Sequence, residues 1–300
     1  MSNLYEEVTN QIVALLEQGE IPWHKPWAGA VNGAISYGTG KPYSLLNQIL
    51  LQTPGEYITF GRCIKEGGNV RKGAKARHVY VWKPRYIDQK DENGQPILNE
   101  DGTVKKIMVP FLKSFPVFHL DDCERIKPRW TTALPVNAAQ PIDAAEQKLQ
   151  EYIDREHIRL IADQITGRAY YSPAQDLINI PCIGQYSDPA EYYSTAFHEA
   201  THSTGHPARL HRFEINDKNA AFGSESYSKE ELTAEIGAAC ILHYLGISTS
   251  GSLQNSAAYV QGWLKALKDD RTLIIGAAAR AEKAMRLILD LKDEPTADEE

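Results

Sequence analysis

The sequence predicts an α+β protein of two domains, and three observations carry that prediction. At 300 residues the chain is long for one compact core, because domains usually run to roughly 100–200 residues. Lys127-Pro128-Arg129-Trp130 through Ala133-Leu134-Pro135 to Pro141 is rich in proline and small residues, with neither a helical nor a strand period. Charge divides there too, with 17 Lys+Arg against 14 Asp+Glu in residues 1–135 and 15 against 25 in the remainder. A small N-terminal α+β domain is therefore expected over residues 1–130, a linker over 131–142 and a second domain over 143–300.

In the first domain, apolar residues at Tyr5, Val8, Ile12, Leu15 and Leu16 form one face of an amphipathic helix that Gly19 ends. A short helix is expected over Ser44–Leu51, after the turn signals Gly38, Gly40 and Pro42. β-Branched and aromatic runs predict strands at Tyr57–Phe60, His78–Trp82, Ile107–Leu112 and Phe115–Leu120. Between them, Asp88–Lys106 is polar, carries Asn93-Gly94 and Asp101-Gly102, and reads as an exposed hairpin or loop.

In the second domain a helix is expected over Asp143–Glu156, followed by short strands at Ile158–Ile161, Ala169–Ser172 and Asp176–Ile180. Ser187-Asp188-Pro189 supplies an N-cap and a first-turn proline, so a helix should run from about Pro189 to Thr204. Further helices are expected over Ser228–Leu245 and Ala257–Leu291, the last with a break near Asp269-Asp270.

Composition narrows the function classes. A hydrophobic content of 42%, a charged content of 24% and a mean hydropathy of -0.41 describe a soluble globular chain. No apolar run approaches the ~20 residues of a membrane span, and Glu6 and Glu7 break the order of a signal peptide, so a cytoplasmic protein is expected. Cys63, Cys123, Cys182 and Cys240 never form a C-x-x-C pair and read as core thiols in a reducing compartment.

The chemistry concentrates at Phe197-His198-Glu199-Ala200-Thr201-His202. H-E-x-x-H within a helix puts two imidazoles one turn apart on one face, aimed at one point. Imidazole suits zinc, or another divalent transition metal, and a catalytic zinc takes three protein ligands and a water. Glu199 stands beside the first ligand, where a general base for that water belongs. A metzincin would need His at position 208, which is Ala208, and His206 is out of register, so that subclass is rejected. Downstream, Glu230-Glu231-Leu232-Thr233-Ala234-Glu235 resembles the E-x-x-A-D pattern of gluzincins. It offers Glu231 as third ligand and Glu235 as the acceptor that orients a histidine, or as the replacement ligand. A plainer reading makes Ser228-x-x-Glu231 a capping box. The second domain is thus expected to be a gluzincin-like zinc metallopeptidase. The hairpin from Ala169 to Pro181 could pair with an extended peptide substrate or serve only as scaffold.

The first domain carries a different signal. Eight Lys and Arg residues lie between Arg62 and Arg85 against the lone acid Glu66. Tryptophan and tyrosine are interleaved with them, a mixture suited to single-stranded nucleic acid, where bases stack on exposed rings and cations track phosphates. The candidate contacts are Trp23, Trp27, Tyr43, Arg71, Lys72, Lys75, Tyr80, Trp82 and Lys83. The same aromatics could instead be core, with the charges a solvated rim.

Taken together these residues resemble the ArdC-like antirestriction proteins of conjugative plasmids and mobile elements. The matching signatures are Ile21-Pro22-Trp23 with Lys25-Pro26-Trp27, then Asn32, Lys41-Pro42-Tyr43 to Asn47 and Gly67-Gly68-x-Val70-Arg71-Lys72-Gly73. Tyr80-Val81-Trp82-Lys83, Pro116-Val117-Phe118, the Tyr170–Pro181 run, the H-E-x-x-H and Glu230–Glu235 complete them. The chain departs from the family pattern at Tyr43-Ser44-Leu45-Leu46 and Phe118-His119-Leu120, where an Arg-Gly pair and an Asn are usual. The resemblance implies a single-stranded-DNA-binding domain joined to a metallopeptidase-like domain, shielding entering plasmid DNA from restriction. Two readings follow: a DNA-tethered zinc protease with a protein substrate, or a DNA-coating protein whose zinc site is structural or vestigial.

Overall fold

The computed structural model describes residues 4–18, 21–23, 33–91, 94–99, 102–130, 141–166, 168–186, 188–212, 225–247 and 257–292. The N-terminal amphipathic pattern forms α1 (Leu4–Glu17), which buries Val8, Ile12, Val13 and Leu16. After β1 (Ala34–Ser36) comes α2 (Leu45–Leu51), closed by Gln52 in the left-handed region. β2 (Gly55–Ile58) ends where Thr59 caps α3 (Phe60–Lys65), its side chain accepting from the Arg62 amide. Phe60, expected at the end of a strand, thus opens a helix, because the Thr59 cap is the stronger local signal.

The two strands expected at 107–112 and 115–120 are one strand, β5 (Lys106–His119), paired antiparallel along its length with β4 (Arg77–Asp88). Lys113 and Ser114, left between the two expected strands, continue the period of two, opposite Val81 and Tyr80. The sheet order is β1-β2-β5-β4, and only the base of the long β4–β5 ribbon is joined to β2. A two-stranded sheet, β3 (Asn69–Val70) with β6 (Cys123–Glu124), lies beside α3.

After α4 (Pro141–Glu156), a three-stranded sheet has order β7-β9-β8, from β7 (Arg159–Ile161), β8 (Tyr170–Ser172) and β9 (Leu177–Asn179). Then follow α5 (Pro189–Ser203), α6 (Glu225–Tyr244), α7 (Ala257–Asp269) and α8 (Leu273–Leu289). The long C-terminal pattern is two helices, separated where Asp270 accepts from Thr272. One core unites α4, α5, α6 and α8 through Leu149, Tyr152, Phe197, Ile241 and Ile288.

The architecture is two-domain α+β, but the core does not stop at the sequence boundary. Val8, Ile12, Leu46 and Ile49 of α1 and α2 share one apolar cluster with Leu232, Ile236, Leu267 and Ile274 of α6–α8. Polar contacts cross as well: Thr9 donates to the Arg271 carbonyl at 2.7 Å, and the Leu45 amide donates to Glu282 at 3.1 Å. The expected linker falls mostly on residues 131–140, outside the described residues. Among the described residues no helix is long and apolar enough to cross a membrane.

Candidate functional site

The helix that carries the metal motif is set by its ends and its packing. Asp188 caps α5 by accepting from the Ala190 amide, Pro189 occupies the first turn, and Phe197, Ala200 and Thr201 face the core. α5 lies so close to α6 that a Cβ on Gly237 would stand 2.7 Å from Thr201 Cγ2. That approach brings the polar faces of the two helices together. His198 Nε2 and His202 Nε2 are 3.1 Å apart, and Glu231 presents its carboxylate 3.5 Å from the first and 3.4 Å from the second.

Three ligand atoms about 2.0–2.1 Å from one tetrahedral ion stand roughly 3.4 Å from each other. The triangle observed here has that size, and His198, His202 and Glu231 form a group able to hold a metal ion among the described residues. Glu199 is also brought to the site, buried between the two histidine turns. The capping-box reading of Glu231 is not what forms, because α6 begins at Glu225 and places Glu231 in its second turn.

The outer groups are arranged around the far ring nitrogens. Glu235 Oε1 lies 3.9 Å from His198 Nδ1, a buried nitrogen with no hydrogen bond. On the other side Glu230 Oε1 lies 3.4 Å from His202 Nδ1. Arg212 grips Glu230 at 2.6 and 3.0 Å and also donates to the Thr201 carbonyl and the Thr204 hydroxyl, tying it to the end of α5. Sequence reasoning missed Glu230 and Arg212. The adjacency of Glu230 to Glu231 is legible, but only the fold brings Arg212 to them.

Burial opposes charge on every member of this cluster. At His202 the hydrogen bonds to Glu230 and Glu231 outweigh it and lift the imidazole pKa to about 10. His198 is raised in the same way, against burial, mainly by its contact with Glu231. Burial would raise Glu231, yet its contacts with both histidines hold it well below the usual carboxylate range. Without a cation the site thus stores protons where an ion would sit.

Beside α5, β8 is an edge strand of its sheet. Tyr171 donates to Asp176 at 2.7 Å, and Arg209 pairs with Asp176 and reaches the Tyr171 hydroxyl and the Ser203 carbonyl. These bonds fasten the hairpin to the end of the motif helix.

The expected strand contacts divide. Trp23 is fully buried edge-on against Trp263, at 5.3 Å between ring centres, and Tyr43 is buried in the core under the first sheet. Tyr80 is buried too, its hydroxyl donating to Glu7 and its backbone amide and carbonyl bonded to Asn47. These three are core and offer no face for stacking, a correction to the expectation. Trp82 is 39% exposed, with Tyr5 edge-on at 6.0 Å. Arg71, Lys72 and Lys75 are exposed and Lys83 is half-buried. Trp27 lies outside the described residues. The local charge excess is also smaller in space than in sequence, since Arg62 pairs with Glu66 and Arg71 lies 3.7 Å from Glu124.

Comparison with known proteins agrees with both halves. Residues 2–118 match the family described as the N-terminal domain of anti-restriction factor ArdC, and residues 147–280 the family described as zincin-like metallopeptidase. The crystal structure of the antirestriction ArdC protein from plasmid R388 in its metal-free form is 33% identical, with a TM-score of 0.69, over 96% of this chain and 97% of that one. Its Mn(II)-bound form is 31% identical with the same TM-score, over 96% and 98%. Two Escherichia coli proteins named DNA primase TraC are each 34% identical over 95% of this chain, which spans only 27% and 20% of their length. An uncharacterised Sinorhizobium fredii protein, y4eC, is 28% identical over 94% of this chain and 90% of its own.

These likenesses correct the expectation of a working zinc metallopeptidase. The relative solved over its whole chain, both metal-free and with Mn(II), is an antirestriction protein, and what this chain shares with the zincin-like family is the stretch that brings His198, His202 and Glu231 together. The divalent-metal site stands; Glu199 loses its part as general base of a peptidase. With whole-length likeness to a solved ArdC and both of its halves matched in order, this chain belongs to the ArdC antirestriction family.

Proposed function

We propose that this protein binds single-stranded DNA through residues 1–130 and shields entering DNA from restriction. In this reading residues 143–300, beyond a linker at 131–142, hold a structural metal ion. The ligands are His198, His202 and Glu231, with Glu235 behind His198, and the ion is Mn(II), Zn(II) or a similar divalent cation. The observation that carries the reading is the likeness, over almost the full length of both chains, to the R388 antirestriction ArdC protein. The DNA primase name of the two longer relatives and the exposed cations Arg71, Lys72 and Lys75 support the DNA partner. A metal that ties α5 to α6 braces the core beneath both helices, and that function needs no reacting water.

Glu199→Ala separates structure from catalysis. The variant should bind Mn(II) as the wild type does, by calorimetry, and should protect unmodified plasmid DNA equally during transfer into a restricting host. Lost protection with metal and fold retained would refute the structural role of the site.

A further inference from the structure

Half-exposed apolar side chains are unevenly spread over this molecule. Of the fourteen large hydrophobic residues exposed among the described residues, six lie on β4 and β5. Four of them, Ile87, Ile107, Phe111 and Phe115, share one face of the ribbon, and Trp82 and Tyr86 lie on the other; an exposed apolar patch of that kind marks a binding surface. The partner follows from how the register sorts the charges. Successive side chains alternate between faces, so Lys83 shares a face with its partner Phe111, Val81 with Lys113 and Val79 with Phe115. No acidic residue stands at any position of that face from Arg77 to Ile87 or from Ile107 to Val117; Asp88 falls on the other. Both faces are engaged at the base, the opposite one where Tyr80 bonds to Glu7 and Trp82 meets Tyr5 of α1, and this one where Val79 and Val117 enter the core under the first sheet, so its exposed side chains are those beside and beyond them.

Along the acid-free face Phe111, Lys113 and Phe115 follow one another at every second residue. Phe111 is 43% and Phe115 38% exposed, and Lys113 is exposed between them. Two-residue steps of about 6.5–7 Å place the rings about 13 Å apart, with a cation midway. Among the described residues neither Lys83 nor Lys113 has an ion-pair partner, whereas Arg77 donates to Tyr57 at 2.6 Å and belongs to the base of the sheet. Free cations alternating with bare rings match a single strand, whose phosphates and unstacked bases alternate in the same way. A duplex hides its base faces, so it has nothing to lay on the two rings.

We infer that this face of the β4–β5 ribbon is where single-stranded DNA lies, with Phe111 and Phe115 as stacking platforms and Lys83 and Lys113 on the phosphates. The inference rests on the proposed DNA binding and locates it on residues that the basic loop at 71–75 does not include.

The test uses the full chain and fluorescein-labelled oligo(dT), read by anisotropy at several salt concentrations. Phe111→Ala with Phe115→Ala should weaken binding at least about tenfold, while Phe111→Tyr with Phe115→Tyr keeps it within about threefold, because a phenol ring still stacks. Lys83→Gln with Lys113→Gln should flatten the salt dependence by about 0.7 in slope for each phosphate no longer neutralised. Lys113 is exposed and Lys83 half-buried, and glutamine keeps most of each stem, so this pair decides the matter if the alanine pair fails to fold. A wild type that does not bind oligo(dT) overturns the DNA reading itself. A wild type that binds, alongside folded variants of unchanged affinity and slope, overturns only this placement and leaves the face to a protein partner.

Discussion

His202 illustrates how much a single residue depends on its neighbours. Its ring is aimed by Glu230, and Glu230 is itself held in a two-toothed grip by Arg212. Groups that orient a ligand in this way commonly set metal affinity by 10–100-fold. Glu230→Gln should therefore weaken Mn(II) binding by roughly tenfold or more in a calorimetric titration, with the fold retained; unchanged affinity would remove Glu230 from the site. The same residues fix a pH signature. The raised pKa of His202 gives the metal-free protein stability that is complete below the ordinary imidazole value of 6.5 and is lost as pH climbs toward about 10. The depressed pKa of Glu231 contributes stability that is complete above the ordinary value of 4.5 and fades as pH falls below it. The cluster thus supports the chelator-treated protein best between about pH 4.5 and 6.5. Mn(II) must displace the stored protons, so its affinity should rise with pH. Melting curves of chelated protein at pH 5.5 and 8.5, beside Mn(II) titrations at the same two values, would show opposite trends. Parallel trends would mean that the cluster is not where the metal binds.

At the scale of elements, the approach of α5 to α6 decides whether the ligands meet, and Gly237 decides that approach. A methyl group there meets the buried Thr201 side chain at 2.7–2.8 Å, closer than packed atoms tolerate. Gly237→Ala should cost about 1–3 kcal/mol and lower both Tm and Mn(II) affinity, and Thr201→Ala in the same chain should restore part of each. If the double variant behaves like Gly237→Ala alone, the helix contact is not the cause. None of this is legible from the local pattern, since a glycine inside a helix marks a close approach without naming the partner. What is legible is what local rules dictate: the Asp188-Pro189 start of α5, the amphipathic face of α1 and the i,i+4 histidines. Long-range pairing defeats the same rules. Lys113-Ser114 reads as a break in β5 because a lysine and a serine end a strand in sequence, while in the sheet one faces solvent and the other lies opposite Tyr80. Aromatic residues are equally ambiguous. Trp23, Tyr43 and Tyr80 and the exposed Phe111 and Phe115 have similar chemistry, and only the third dimension divides them into core and surface.

Over the whole molecule, the charge boundary near residue 135 and the boundary of the core do not coincide. α1 and α2 belong by sequence to the basic half, yet their apolar faces complete the core that α6, α7 and α8 begin. Trp23 is at that junction, fully buried against Trp263, so removing it leaves a cavity between halves rather than a bare patch on one. Truncation of a buried tryptophan to alanine costs about 3–5 kcal/mol. Because α6 supplies both that core and Glu231, the loss should reach the metal site as well as the first domain. Trp23→Ala is expected to lower the unfolding midpoint seen by far-UV circular dichroism and the midpoint of Mn(II) release together. Below that midpoint its affinity for oligo(dT) should equal that of the wild type, since a side chain with no exposed face has nothing to stack on a base. Metal release that keeps its wild-type midpoint while the first domain melts early would show two independent units. Weakened strand binding by folded Trp23→Ala would return this tryptophan to the DNA surface.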